Sequence, residues 1–82
     1  MYNHLIIVGA GGHGQAVADL AISTGNFAKV SFVDDCYPEK KTALGLPING
    51  KTESLFNNTL QFDSCFVAIG NNIVREKIIN QI

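Results

Sequence analysis

The chain opens on His4-Leu5-Ile6-Ile7-Val8, a short apolar run with no internal polar alternation, and the run stops at Gly9. A continuous run of this kind, rich in β-branched residues, predicts a strand buried on both faces, as in parallel sheets. The period then changes. Val17, Leu20, Ala21 and Thr24 fall at helical spacing within Gly12 to Thr24, with Ala16 beside them, and Gly25 supplies a C-terminal stop. Lys29 to Asp34 is rich in β-branched and aromatic residues and predicts a second strand. A polar loop follows over Asp35 to Ala43. Leu44 to Asn49, with Gly45 and Pro47, suits a short irregular edge strand, and Thr52 to Phe56 a short helix with Thr52 as its N-cap. Cys65-Phe66-Val67-Ala68-Ile69 predicts another fully buried strand, ended by Gly70. Asn71 or Asn72 then caps a helix whose apolar positions are Val74, Ile78 and Ile82, with Ile79 beside them.

Strands alternating with helices imply an α/β fold with right-handed crossovers. The expected architecture is a Rossmann-like, three-layer half-fold with a parallel sheet of about four strands in the order 3-2-1-4. The first and the last long strand then lie side by side, and the connections leave them in opposite directions. That makes a topological switch point, where ligands bind in open α/β sheets.

Composition narrows the function classes. The chain has 82 residues, 46% of them hydrophobic and 16% charged, which fits one small domain with a real core and argues against disorder. Six Lys plus Arg against seven Asp plus Glu leave a formal charge of −1, so no basic surface for nucleic acid is expected. The longest apolar stretch, Leu5 to Ala10, is far short of the ~20 residues of a membrane span, and no basic segment precedes it as in a signal peptide. No membrane partner is expected, and the predicted location is the cytoplasm. Cys36 and Cys65 form no C-x-x-C pair and read as reduced thiols. The chain ends on the apolar Ile82 without a Gly or Pro stop, which suggests continuation into a further domain.

Three features carry chemistry. Gly9-Ala10-Gly11-Gly12-His13-Gly14 holds G-x-G-x-x-G between a predicted strand and a predicted helix. Gly9 permits the tight turn, Gly11 a close approach to a ligand, and Gly14 close helix–sheet packing. The free N–H groups and dipole of the helix start favour an anion there. A ligand-free glycine turn remains the alternative. Asp34-Asp35 ends the second strand, 20 residues beyond Gly14, where a carboxylate can reach a ribose hydroxyl or base edge; a solvated turn is the alternative. Adjacent positions on a strand end point to different sides, so a paired acid–base role is not expected. Gly70-Asn71-Asn72 with Arg75 follows the last strand at the switch point. A cation in the first turn of a helix opposes the macrodipole by roughly 0.3–1 kcal/mol, and a diphosphate between two helix starts and Arg75 would reverse that balance. His13 faces the same crevice as a hydrogen-bonding group. No Ser/His/Asp or Cys/His constellation and no metal cluster appears.

Taken together, Ile6 to Gly14, Phe32-Val33-Asp34-Asp35, Leu44-Gly45-Leu46-Pro47-Ile48, and Phe66 to Asn72 with Arg75 resemble the N-terminal domain of bacterial sugar O- and N-acetyltransferases. These are of the sialic-acid O-acetyltransferase type, with relatives acting on UDP- or GDP-linked amino-sugars in glycan and polysaccharide synthesis. The resemblance covers nearly the whole chain. It implies that residues 1–82 are a nucleotide-sugar-binding domain of an acetyltransferase. The catalytic part would be a left-handed β-helix of hexapeptide repeats that binds acetyl-CoA, carries the catalytic His and builds a homotrimer. That part is absent from this chain, so no catalytic residue carries over, and the domain is expected to bind without turnover and to need no cofactor of its own. The substrate-binding residues implied are Gly11, Gly12, His13 and Gly14 against the phosphates or sugar, Asp34 and Asp35 toward the nucleoside, and Gly70, Asn71, Asn72 and Arg75 on the far side of the crevice. Two other readings stay open: an NAD(H)-binding module of a dehydrogenase or redox sensor, and a non-catalytic regulatory domain.

Overall fold

The structure, a computed structural model, describes residues 4–56, 62 and 64–68; the predicted helix beyond Gly70 lies outside the described residues. The central element is strand β1, His4–Val8, buried along its whole length. It is flanked in parallel by β2, Lys29–Val33, and by β5, Ser64–Val67. In this register Leu5 and Ile7 stand beside Val30 and Phe32. These four pack with Ala18 and Ala21 of helix α1, Gly12–Thr24. The alternate positions Ile6, Val8 and Val33 pack on the other face with Leu55, Phe62, Cys65 and Val67. A strand covered on both faces needs apolar residues at every position, which is why β1 shows no alternation.

The sheet order β2-β1-β5 reproduces the expected neighbours of the first strand. The expected third strand is corrected. Leu44–Asn49 does not form one edge strand: Thr42–Ala43 (β3) and Leu46–Pro47 (β4) pair antiparallel as a hairpin. Its two turn residues, Leu44 and Gly45, have φ of 53° and 74°. Both central residues of a primed hairpin turn require positive φ, and Gly45 is the residue that takes it freely. Pro47, without an N–H, cannot extend a ladder. The segment still lies beside β2, but through one parallel bridge, Phe32 to Ile48, with the Asn49 N–H donating to the Phe32 carbonyl at 2.8 Å. The main sheet therefore has three strands among the described residues. The architecture is α/β and Rossmann-like.

Helix α1 spans the predicted residues and ends at Gly25 in the left-handed conformation, whose N–H donates to the Ile22 carbonyl. Its buried face is the predicted one only in part: Ala21 is buried and Val17 packs against the core. Gly14, Ala18 and Ala21 are buried, whereas Leu20 is 66% exposed and Ala16 and Thr24 are exposed. The reason is at the helix start. A Cβ on Gly14 would run into the Gly9 carbonyl, with the carbonyl carbon only 2.9 Å away. This contact pins the N-terminal turn onto the end of β1, and small residues at the following helical positions let the axis stay close to the sheet. Leu20 is turned outward and lines an apolar groove of about 300 Å³ with Leu5, Val17, Phe27 and Phe66.

Three smaller expectations are corrected. β5 is half-exposed and not fully buried, because among the described residues it has a sheet neighbour only in β1. Phe66, within the run expected to be fully buried, is exposed. The short helix is a 3-10 turn, Thr52–Leu55, and Thr52 is not its cap; the Thr52 N–H donates to Asp35 Oδ1 at 3.1 Å. At the opposite end of the sheet the buried Ser31 hydroxyl bonds His4 Nε2 at 2.8 Å and accepts from Asn49 Nδ2 at 2.9 Å.

Gly14→Ala is expected to lower stability by about 1–3 kcal/mol through overpacking against the Gly9 carbonyl. Gly12→Ala, whose Cβ would meet nothing within 4 Å, is expected to be neutral or to stabilise by roughly 0.5–1 kcal/mol. Urea unfolding midpoints of the two variants check the contrast.

Candidate functional site

The C-terminal ends of β1, β2 and β5 meet at the glycine loop. Gly9 leaves β1 with φ of 104°, a conformation that a side chain disfavours, and its N–H donates to the Val33 carbonyl at 2.8 Å. On the other side the Ala68 N–H donates to the Val8 carbonyl at 2.8 Å. The loop is thus held between both neighbours of β1, at the predicted switch point. The two peptides that flank the Ala10 Cα are each tied by a side chain. The Ala10 N–H donates to Asp34 Oδ2 at 2.7 Å, and the Ala10 carbonyl accepts from Gln15 Nε2 at 3.0 Å. Gly11 follows in extended geometry as the N-cap of α1, and its carbonyl accepts the Gln15 N–H at 2.9 Å.

The start of α1 has no side-chain cap and no acidic residue in its first turn. The first N–H groups of a helix have no intrahelical partner, and the dipole adds positive potential at the same place. Gly11, Gly12 and His13 are exposed there. The geometry suits an anion approached by backbone amides. The His13 ring sits 6.3 Å from the Phe66 ring at a tilt of 48°, which places it over the end of β5.

The two carboxylates part company, as adjacent positions should. Asp34 turns to the loop: besides Ala10, it accepts the Cys36 N–H on Oδ1 at 2.8 Å. Burial alone would raise its pKa, but the Ala10 and Cys36 N–H groups, the Cys36 thiol and nearby Lys40 outweigh this and hold the carboxyl below the ordinary aspartate value. Asp35 turns to the 3-10 segment and accepts the Thr52 N–H. The structure therefore gathers Gly11, Gly12, His13, Gly14 and Asp34 around one loop and sets Asp35 at its margin. Gly70, Asn71, Asn72 and Arg75 lie outside the described residues.

Gln15 is a part of the site that the sequence reading missed. Its one signal was a long polar side chain in the first turn of a helix after a glycine loop, and only the loop's path shows what it reaches. The two cysteines are free. Burial pushes both thiols above their ordinary range, and the Asp34 carboxylate adds to this at Cys36. Neither is poised as a thiolate nucleophile. Among the described residues no group of three or more His, Cys, Asp or Glu could hold a metal, and no helix is long and apolar enough to cross a membrane.

Asp34 has a consequence for acid stability. A carboxyl whose folded pKa lies below the unfolded value contributes stability above the unfolded value, about 3.9, and loses it as pH falls through the folded one. The expected result is a drop in wild-type stability below about pH 4 that is smaller in Asp34→Asn, which is itself less stable at pH 7 by roughly 1.5–3 kcal/mol. Denaturant titrations across that pH range measure both.

Comparison with known proteins bears on the same region. Residues 4–82 match the family described as the PglD N-terminal domain. Among solved structures, the acetyltransferase domain of PglB from Neisseria gonorrhoeae FA1090 in complex with acetyl coenzyme A superposes with a TM-score of 0.81 at 38% identity, over 98% of this chain and 38% of that one. The same acetyltransferase domain, in a structure whose description names no ligand, also gives 0.81 and 38% identity, over 95% of this chain and 38% of that one. The chain thus spans 38% of the length of the solved chains it matches. No protein of curated function matches it significantly. With the family matched over nearly the whole sequence, and a solved relative of the same fold at this identity, the chain belongs to the PglD N-terminal domain family.

Proposed function

We propose that this domain binds a nucleotide-activated amino-sugar and presents its amino or hydroxyl group to an acetyltransferase active site outside these 82 residues, with acetyl-CoA as donor. The single observation that carries the reading is the uncapped start of α1 at the switch point, its loop braced by Asp34 and Gln15. Backbone amides there would hold the diphosphate. Asp34 and Asp35 would mark the nucleoside side, and His13, above the end of β5, the sugar side. Gly70, Asn71, Asn72 and Arg75 are proposed for the far wall.

The membership in the PglD N-terminal domain family supports this, as does acetyl coenzyme A bound in the Neisseria relative. In this scheme the domain does no bond-making. It would hold the acceptor in place, and holding reactants in a productive geometry can supply several kcal/mol of a barrier. The proton leaving the acceptor and the departing CoA thiol would be managed by groups that this chain does not carry. A homotrimeric assembly, a hexapeptide-repeat catalytic part and a cytoplasmic location belong to the same proposal for the longer protein.

Amide-resolved NMR titration tests it, with UDP-N-acetylglucosamine, a CMP-sugar, a GDP-sugar and NADH as separate probes. Saturable shifts at Gly11 to Gly14 with a nucleotide sugar, weakening as salt is raised, are expected. Shifts with NADH alone would replace the reading by a dinucleotide-binding one. No response to any probe would leave the regulatory-domain reading in its place.

A further inference from the structure

The fold puts Asp34 where an acidic residue of a nucleotide-binding sheet would meet a ribose, yet its carboxylate is already occupied. Oδ2 accepts the Ala10 N–H at 2.7 Å and Oδ1 accepts the Cys36 N–H at 2.8 Å. Both are short, charge-assisted bonds. Ala10 is only 3% exposed, so turning the carboxylate away would orphan a buried N–H. The residue is also held by its own backbone. Its N–H donates to the Gly50 carbonyl at 3.0 Å, and its carbonyl accepts the Tyr37 N–H at 3.0 Å.

The next peptide, Ala10–Gly11, is held by Gln15, whose side chain donates to the Ala10 carbonyl. With the peptides on both sides of the Ala10 Cα tied, one through its N–H and the next through its C=O, the φ and ψ of Ala10 are restrained. Gly11 follows it directly, and the free amides of the helix start follow Gly11. Glycines have no side chain to hold them, so the direction of these amides depends on what clamps the peptide before them.

From this geometry we infer that Asp34 is a positioning residue: it aims the glycine-loop amides at the ligand's diphosphate and does not itself contact the nucleoside. The inference rests on the nucleotide-binding reading above and deepens it. It divides the acidic pair into one residue that shapes the anion site and one, Asp35, left at its margin. The depressed ionisation of Asp34 agrees with a carboxylate committed to backbone donors.

The test separates positioning from contact by using a ligand that has no ribose. Affinities of the full chain for inorganic pyrophosphate and for UDP-N-acetylglucosamine are measured by calorimetry, in wild type and in Asp34→Asn. Asn has one acceptor oxygen for two N–H donors, so the loop loses one tie. Positioning predicts that both ligands weaken by the same factor, about tenfold. Loss confined to UDP-N-acetylglucosamine, with pyrophosphate unchanged, would identify a direct nucleoside contact and overturn the inference. Amide exchange gives a second readout. Asp34→Asn is expected to speed exchange at Ala10 while leaving Ala18 and Ala21 of α1 unchanged. Uniform acceleration, or an unchanged Ala10, would count against positioning. Should Asp34→Asn not fold, the wild type decides: the Ala10 amide shift must follow the titration of the Asp34 carboxyl carbon with the same midpoint, and a flat Ala10 shift sinks the idea. Failure of wild type to bind either ligand overturns the nucleotide-binding reading itself, whereas binding with an indifferent Ala10 overturns the positioning role alone.

Discussion

Helix α1 reaches the end of β1 with no room for a side chain between them. The contact is Gly14 against the carbonyl of Gly9, and a single methyl group there would collide with the backbone. Much else follows from it. It sets the rotation of the helix, so that Ala18 and Ala21 and not Leu20 meet the sheet. It brings the open end of the helix over the C-terminal ends of three parallel strands. Between that contact and the strand the chain runs through Gly11 and Gly12, which face open space and leave bare amides as the loop's chemistry. A helix packed a few ångströms further out could have used larger residues and buried more area per residue. It would then have lost the convergence of helix start, loop and strand ends that suits an anion.

The two ends of the sheet are specialised in different ways. At the C-terminal end, polar groups are tied to the backbone: Asp34 to Ala10 and Cys36, Gln15 to Ala10, Asp35 to Thr52. These bonds order loops while leaving the first amides of α1 without a side-chain acceptor. Toward the other end, His4 and Asn49 each bond the Ser31 hydroxyl, which satisfies polar groups in the interior. Apart from the hydrogen-bonded Ser31, the middle of the sheet is apolar on both faces, packed by α1 on one and by Leu55, Phe62 and their neighbours on the other. Rigid middle and ordered loops together are what a binding domain requires if it is to hold a ligand in one orientation.

Some of this was legible residue by residue. The unbroken apolar run of β1 announced burial on both faces, and Gly25 announced the end of α1, because both depend on local composition and on backbone conformation that only certain residues adopt. The G-x-G-x-x-G spacing announced the loop for the same reason. The parting of Asp34 and Asp35 followed from strand geometry. Periodicity places Ala21 and Val17 correctly but puts Leu20 on the buried face, because it ranks large apolar residues first, whereas the close approach at Gly14 rewards small ones. Leu44 to Asn49 was read as one strand because its composition is strand-like; the positive φ at Leu44 and Gly45 turns it into a hairpin. Phe66 sits in an apolar run that reads as a fully buried strand, yet it is 44% exposed, its strand having a sheet neighbour among the described residues only in β1.

What the amino-acid sequence determined by itself was the order and type of the main elements, the position of the glycine loop between strand and helix, and the family to which the chain belongs. These rest on local pattern, and local pattern is written along the chain. Only the tertiary structure decided which side of the helix is buried, which atoms Asp34 and Gln15 hold, and how the loop's amides are aimed. Those depend on distances between residues far apart in sequence, such as Ala10 and Asp34, and no spacing rule states whether a carboxylate at that position turns toward a ligand or toward the backbone that cradles it.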